Sequence, residues 1–208
     1  MKGKEKEYDD GNLIFEGEYL NGKINGKCKV YNNESKLIFE GECLNDIRNG
    51  KGKEYWFNGN LKFEGYFLNG KRNGKGKEYW FNGKLKFDSE HLNDEKNGKG
   101  KEYWSDDKLI FEGEYLNDKR WIGKGKEYWF NDNLKFEGEY LNGKRNGKGK
   151  EYHWNGELIF EGEYLDDKRW IGKGKEYDNE SNLIFEGEYL NGERYIKSMR
   201  LLSKYINY

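Results

Sequence analysis

The chain has 208 residues, nearly balanced charge (38 Lys plus Arg against 39 Asp plus Glu) and a hydrophobic share of only 34%, half of it aromatic. It lacks Ala, Pro, Gln and Thr and holds one Val, Val30, so the best helix former is missing and an α-rich domain is excluded. Its 7 Trp, 17 Tyr and 12 Phe exclude a disordered chain, since such chains are poor in aromatics. No apolar run approaches the ~18 residues of a membrane span, and Met1-Lys2-Gly3-Lys4 leads into charge rather than an apolar leader core; both predict a cytoplasmic protein.

Two short segments alternate along the chain, and such internal repetition decides the fold before any local detail. The first, Phe-Glu-Gly-Glu-Tyr-Leu-Asn, opens at Phe15 and recurs with variations at Phe39, Phe63, Phe87, Phe111, Phe136, Phe160 and Phe185, at spacings of 24 or 25 residues. The second, Gly-Lys-Gly-Lys-Glu-Tyr, ends at Tyr55, Tyr79, Tyr103, Tyr128, Tyr152 and Tyr177, with degenerate copies ending at Tyr8 and Tyr31. Both 25-residue spacings that follow Phe111 and Phe160 arise where Trp121-Ile122 and Trp170-Ile171 replace a single residue such as Asn73. With the rest of the registry kept, these insertions are expected in turns.

These residues resemble the MORN repeat. Phe63-Glu64-Gly65, followed by Phe67-Leu68-Asn69-Gly70-Lys71-Arg72-Asn73-Gly74-Lys75-Gly76, matches its Tyr-x-Gly-x-Trp, Asn-Gly-rich turn and Gly-x-Gly pattern. The resemblance covers residues 3–195, in eight copies. Phe57-Asn58-Gly59-Asn60-Leu61 is also similar to related bacterial antitoxin-like repeats. Four positions depart from the pattern: Cys43 and His91 at the second aromatic, Ser89 at a Gly, and Cys28 at the later Gly. The resemblance implies scaffolding, dimerisation or tethering at membranes, and an antitoxin-like partner protein as a further reading.

Register follows from the turns. Asn58-Gly59 is a strong signal for a two-residue hairpin, and centring one there sets Lys53 opposite Glu64, Gly52 opposite Gly65 and Lys51 opposite Tyr66. The same rule sets Lys29 against Glu40, Lys77 against Asp88, Lys101 against Glu112, Lys126 against Glu137, Lys150 against Glu161 and Lys175 against Glu186. Every hairpin then faces Lys with a carboxylate, worth roughly 0.2–1 kcal/mol per pair. A four-residue loop Asn69-Gly70-Lys71-Arg72 would pair Gly65 with Gly76 and Glu64 with Lys77. Alternation along a strand puts Leu61, Phe63, Gly65 and Phe67 on one face with Gly74 and Gly76, and the charges on the other. The predicted fold is all-β: an elongated single-layer antiparallel meander of about eight 24-residue hairpin repeats over 1–195. Residues 196–208, with Ile196, Met199, Leu202 and Tyr205 or Ile206 at helical spacing, are expected to form a short capping helix.

The structural ladder comprises Phe63, Phe87, Phe111, Tyr115, Phe136, Tyr140, Phe160 and Tyr164. His91 and His153 replace ladder aromatics, and Cys28 and Cys43 come out as diagonal neighbours, expected as free thiols in a cytoplasmic chain. These spacings make no metal site, Gly-Lys-Gly-Lys lacks the full phosphate-loop spacing, and no nucleophile–base set emerges. The sequence therefore predicts no enzyme, no metal and no cofactor. The turns within units form one long edge with Lys71, Arg72, Lys119, Arg120, Lys144, Arg145, Lys168 and Arg169, beside Trp121, Ile122, Trp170 and Ile171. The turns between units form an acidic edge with Asp106, Asp107, Asp132 and Glu157. The leading reading is a scaffold or adaptor with a protein partner or a second copy. A second is peripheral binding to anionic phospholipid through the basic Trp-Ile edge. Nucleic acid is not expected, because acidic residues are interleaved with the aromatics throughout.

Overall fold

The structure, a computed structural model, describes residues 2–178 and 180–195; the segment expected to form a capping helix, 196–208, lies outside them. The strands are β1 (Lys2–Asp9), β2 (Asn12–Leu20), β3 (Lys23–Tyr31), β4 (Leu37–Leu44), β5 (Ile47–Tyr55), β6 (Leu61–Leu68), β7 (Lys71–Tyr79), β8 (Leu85–Leu92) and β9 (Glu95–Tyr103). They continue as β10 (Leu109–Leu116), β11 (Lys119–Tyr128), β12 (Leu134–Leu141), β13 (Lys144–Tyr152), β14 (Leu158–Leu165), β15 (Lys168–Tyr177), β16 (Leu183–Leu190) and β17 (Glu193–Tyr195). All belong to one antiparallel sheet in which chain neighbours pair. Contacts divide the chain into two units, Met1–Gly123 and Lys124–Tyr208, and β11 runs through the division.

The charge-derived register is the one observed. In the first unit Lys53 faces Glu64, Lys29 faces Glu40, Lys77 faces Asp88 and Lys101 faces Glu112. In the second, Lys150 faces Glu161 and Lys175 faces Glu186, while Lys126 and Glu137 meet at 3.5 Å.

The turns that produce this register differ from the expected ones. Leu68 pairs with Lys71, so Asn69-Gly70 is itself the two-residue turn, with both φ values positive (51° and 84°). Asn tolerates and Gly favours this left-handed pair, whose twist matches that of the strands. The Asn58-Gly59 connection is instead a longer loop in which Trp56 N–H donates to Asn60 O at 2.8 Å and Gly59 N–H to Trp56 O at 2.9 Å. A one-residue bulge at Glu54/Tyr55 absorbs the difference. In the other hairpin, the register shift between Gly65 and Phe67 leaves Tyr66 facing Asn73, Gly74 and Lys75, with Gly74 at φ 76°. Gly74 therefore lies in the bulge and not beneath the rings, where it was expected.

The Trp-Ile insertions correct a further expectation. They lie within β11 and β15 rather than in turns: Leu165 pairs with Lys168 across an ordinary two-residue Asp166-Asp167 turn. In a 24-residue repeat Gly138 faces Gly149 and Phe136 faces Glu151. In the 25-residue repeat Gly162 faces Gly172 and Phe160 faces Gly174, a slip of two residues against the motif. Gly172 also lacks the positive φ of its counterpart Gly147 (87°). One added residue thus removes the glycine bulge and leaves Trp170 as the single extra residue between Arg169 and Ile171. The shift is by two because an odd slip would turn the aromatic row onto the charged face.

Cys28 and Cys43 are joined by a disulfide, with Cα atoms 6.1 Å apart. This overturns the expectation of free thiols. That expectation was drawn from compartment, whereas the cross-strand geometry brings the two side chains together on one face.

Candidate functional site

The aromatic face follows one plan in the regular repeats. A ladder Phe packs against its own glycine and the glycine opposite: a Cβ on Gly65 would meet Phe63 Cζ at 2.7 Å, and one on Gly76 would meet it at 2.5 Å. Rings can approach bare backbone in this way only because both positions lack a side chain. Phe63, Phe87, Phe111, Phe136 and Phe160 are buried, as are Tyr115, Tyr140 and Tyr164. The two rings of a repeat meet edge to face, as Phe136 and Tyr140 do at 5.8 Å between centroids.

Four residues expected on a basic edge belong to this face instead. Arg72 lies 4.3 Å above Phe63 and its Nε donates to Glu54 at 3.1 Å. Arg145 lies 4.2 Å above Phe136 and bonds Glu127 through Nε (2.9 Å) and Nη2 (2.6 Å). Arg120 and Glu102, and Arg169 and Glu151, repeat the pair at 2.9 Å. The tyrosine hydroxyls of Tyr115, Tyr140 and Tyr164 donate to those same carboxylates. The arrangement covers the rings with guanidinium groups whose charge is matched and hydrogen-bonded, so the core of a single sheet is closed without a second layer. Burial opposes the charged form of Glu127, but hydrogen bonds from Arg145 and Tyr140 outweigh it and hold the carboxyl below its usual range.

What remains of the basic edge is lysine. Lys71, Lys119, Lys144 and Lys168 are exposed, with Lys144 3.6 Å from Asp166. Of the insertions, Trp121, Ile122 and Ile171 are exposed at 40, 45 and 42%. Trp170 is half-buried, its ring within 3.5 Å of where a Gly192 Cβ would stand.

The opposite edge, read from the sequence as acidic, also carries bare aromatics that the reading missed. In the first unit Phe57 and Phe81 are exposed and their rings meet at 4.9 Å. In the second, Phe130 and Trp154 are exposed. The ring before each of three loops is held: Trp56, Trp80 and Trp129 donate Nε1–H to Tyr79, Tyr103 and Tyr152 carbonyls at 3.1–3.2 Å. Asn58 and Asn60 both donate to Phe81 O at 3.0 Å, so consecutive loops are tied together. The signal available in the sequence was the recurring Trp-Phe-Asn pair, of which the ladder uses neither ring. The acidic side chains there are partly spent, as in Lys84–Asp107 at 2.8 Å and Lys108–Asp106 at 2.9 Å.

On the charged face of the first unit an open trough of about 1,110 Å³ runs over β1–β8, lined by alternating Lys and Glu with Tyr66 among them. Tyrosines flank the charge columns, Tyr55 donating to Glu40 and Tyr79 to Glu64 at 2.6 Å. In the second unit, partial burial and the Glu137 carboxylate at 2.9 Å push the Tyr152 hydroxyl up to about 12. His91, in place of a ladder tyrosine, keeps the bond to its carboxylate through Nε2 and Glu78 (3.0 Å). Its Nδ1 and the Ser89 hydroxyl are buried without a hydrogen bond, a local cost of carrying polar groups in an aromatic row.

Among the described residues no group of three His, Cys, Asp or Glu side chains could hold a metal ion, and no helix is long and apolar enough to cross a membrane. No curated protein matches the chain. The MORN repeat family matches at residues 15–33, 39–61, 63–84 and 136–156, and the MORN repeat variant at 96–117, together about half of the sequence. With the repeated register and aromatic face described above, these matches show that the chain belongs to the MORN repeat family.

Proposed function

We propose that the chain is a non-enzymatic scaffold that binds a protein partner through the aromatic edge of its inter-repeat loops. The observation that carries this reading is the exposure of Phe57, Phe81, Phe130 and Trp154 on loops whose backbones are tied down by neighbouring side chains. Exposed apolar clusters of this kind mark interaction surfaces, and aromatic anchors on a rigid support lose little entropy on binding. The four rings stack on no ladder glycine, so their replacement by Ser is expected to leave Tm within ~2 °C of wild type. The same variant should recover at least about tenfold less partner in a pull-down from source-cell lysate. Equal recovery by the two proteins would sink the reading. The resemblance to antitoxin-like repeats makes a toxin-like protein one partner to look for, and a second copy of the chain another.

A second reading, peripheral binding to anionic phospholipid, is supported by the exposure of Trp121, Ile122 and Ile171 beside Lys119 and Lys168. Arg72, Arg120, Arg145 and Arg169 add little to it, because their charge is matched on the aromatic face. Lipid binding would rest on aromatic insertion with help from lysine. Co-sedimentation with anionic vesicles should then weaken with salt, and be lost when Trp121, Ile122, Trp170 and Ile171 are changed to Ser. Binding that survives those four changes would count against it.

A further inference from the structure

Cys28 and Cys43 occupy positions that the repeat otherwise gives to a glycine and an aromatic ring. Their counterparts one repeat later are Gly52 and Phe67, where a Cβ added to Gly52 would lie 3.1 Å from the Phe67 ring. The contact recurs as Tyr115 over Gly100, Tyr164 over Gly149 and Tyr189 over Gly174, at 3.0–3.2 Å. At the cysteines both halves of the contact have changed together: the ring has become a small side chain and the bare backbone has gained one. β3 and β4 set Cys28 opposite Gly41 and Cys43 opposite Gly26, and the sulfurs are bonded between them. Both residues are buried, 2 and 7% exposed, in a cluster with Phe15, Tyr19, Phe39, Phe63 and Phe67.

We propose that this cystine is a redox-controlled replacement for the ring-on-glycine contact, so that packing of the repeats spanning β2–β5 depends on its oxidation state. The bond ties β3 to β4 across the seat where other repeats set a ring on bare backbone. On reduction that cross-link is lost, and two side chains smaller than a ring are left to fill the seat beside Phe39, Phe63 and Phe67. The chemistry is thiol–disulfide exchange. A thiolate of a dithiol reductant attacks one sulfur and forms a mixed disulfide; its second thiolate then displaces the protein. Two electrons pass from the reductant to the cystine, Cys28 and Cys43 take up two protons as thiols, and the reductant leaves as its cyclic disulfide. Reoxidation runs the same steps in reverse with a disulfide oxidant such as oxidised glutathione.

The test uses the full chain, with dithiothreitol as reductant and thiol alkylation followed by intact mass to count free thiols. Denatured, unreduced protein should take up no alkylating group and reduced protein two. Complete reduction should lower Tm by about 5–10 °C and speed amide exchange in β3 and β4. Cys28→Gly with Cys43→Phe, which restores the ring-on-glycine pair, should melt at the same temperature with or without reductant. Cys43→Phe alone should melt lower than that double variant, because a Cβ then lies under the ring. Two free thiols in unreduced protein, or an unchanged Tm and exchange pattern after full reduction, would overturn the proposal. Both of these readouts use the wild-type chain, so they decide the matter even if the double variant does not fold.

Discussion

Replacing Gly162 with Ala, a single added methyl group, is expected to destabilise the second unit by about 3 kcal/mol or more. The new Cβ would stand 2.2 Å from Ile171 O and 2.6 Å from Gly172 Cα, with the Phe160 ring at 2.9 Å. The two nearest atoms are backbone, held in place by the pairing of Gly162 with Gly172, so no rotamer change can relieve the contact. The strands must separate or the ring must leave its seat, and either loses buried aromatic area. Gly3→Ala is the matched control, since a Cβ there meets nothing within 4 Å. Chemical denaturation of both variants, with amide exchange to locate the loss in β14 and β15, reads the difference. Equal midpoints would show that the rings do not rest on bare backbone.

Arg145→Ala should cost about 3 kcal/mol, more than is usual for a residue beside a turn. Its guanidinium is mostly covered, makes two hydrogen bonds to Glu127 and lies over Phe136. Removing it leaves Glu127 partly buried, with Tyr140 and the more distant Lys135 among the described residues to stabilise its charge. Combining the change with Glu127→Gln should recover part of the loss, and this non-additivity separates the pair from simple removal of packing. A pH dependence follows from the same geometry. The folded-state carboxyl of Glu127 lies below its ordinary value of 4.5: burial raises it, and Arg145 and Tyr140 lower it by more. The unfolded chain therefore binds the proton more readily. The stabilisation is fully present above about pH 4.5 and is lost as pH falls through the lower folded value. Denaturation midpoints between pH 7 and pH 3 should fall on the acid side in wild type, and fall less in Arg145→Ala. An identical acid limb would remove the pair from the explanation.

The sequence revealed register better than shape at the turns. Lys lines one strand and carboxylates the next, both with period two on one face. An odd slip would therefore set Lys against glycine or the aromatic row, while a slip of two, as where Glu161 faces Lys173, keeps the charges matched. The two turn types were exchanged, because Asn-Gly appears in both and a bulge beside each, at Glu54/Tyr55 and at Asn73–Lys75, restores the same pairing. The arginines were misread for a related reason. With Asn69-Gly70 as the whole turn, Lys71 and Arg72 are already strand residues, and alternation sends Arg72 to the aromatic face and Lys71 to solvent. Reading them as loop residues made one basic cluster out of two chemically distinct rows. The Trp-Ile insertions were misplaced because an extra residue can be absorbed by straightening a bulge as readily as by lengthening a turn, and composition does not distinguish the two. The loop aromatics Phe57, Phe81, Phe130 and Trp154 were present in the sequence, but the abundance of buried rings hid the exposed ones.

The side-chain bonds that close the aromatic face and tie the loops all reach less than one repeat along the chain: 13 residues from Tyr140 to Glu127, 18 from Arg145 to Glu127, and 23 from Trp129 to Tyr152. Each module consequently makes these contacts within itself or with its immediate neighbour. Gain or loss of a whole 24-residue module between identical neighbours rejoins the same chemistry at the seam. The number of modules can then drift by unequal exchange of the coding repeats, while residues inside a module stay fixed by packing. For such a protein, the number of modules is open to change independently of the stability of any one repeat.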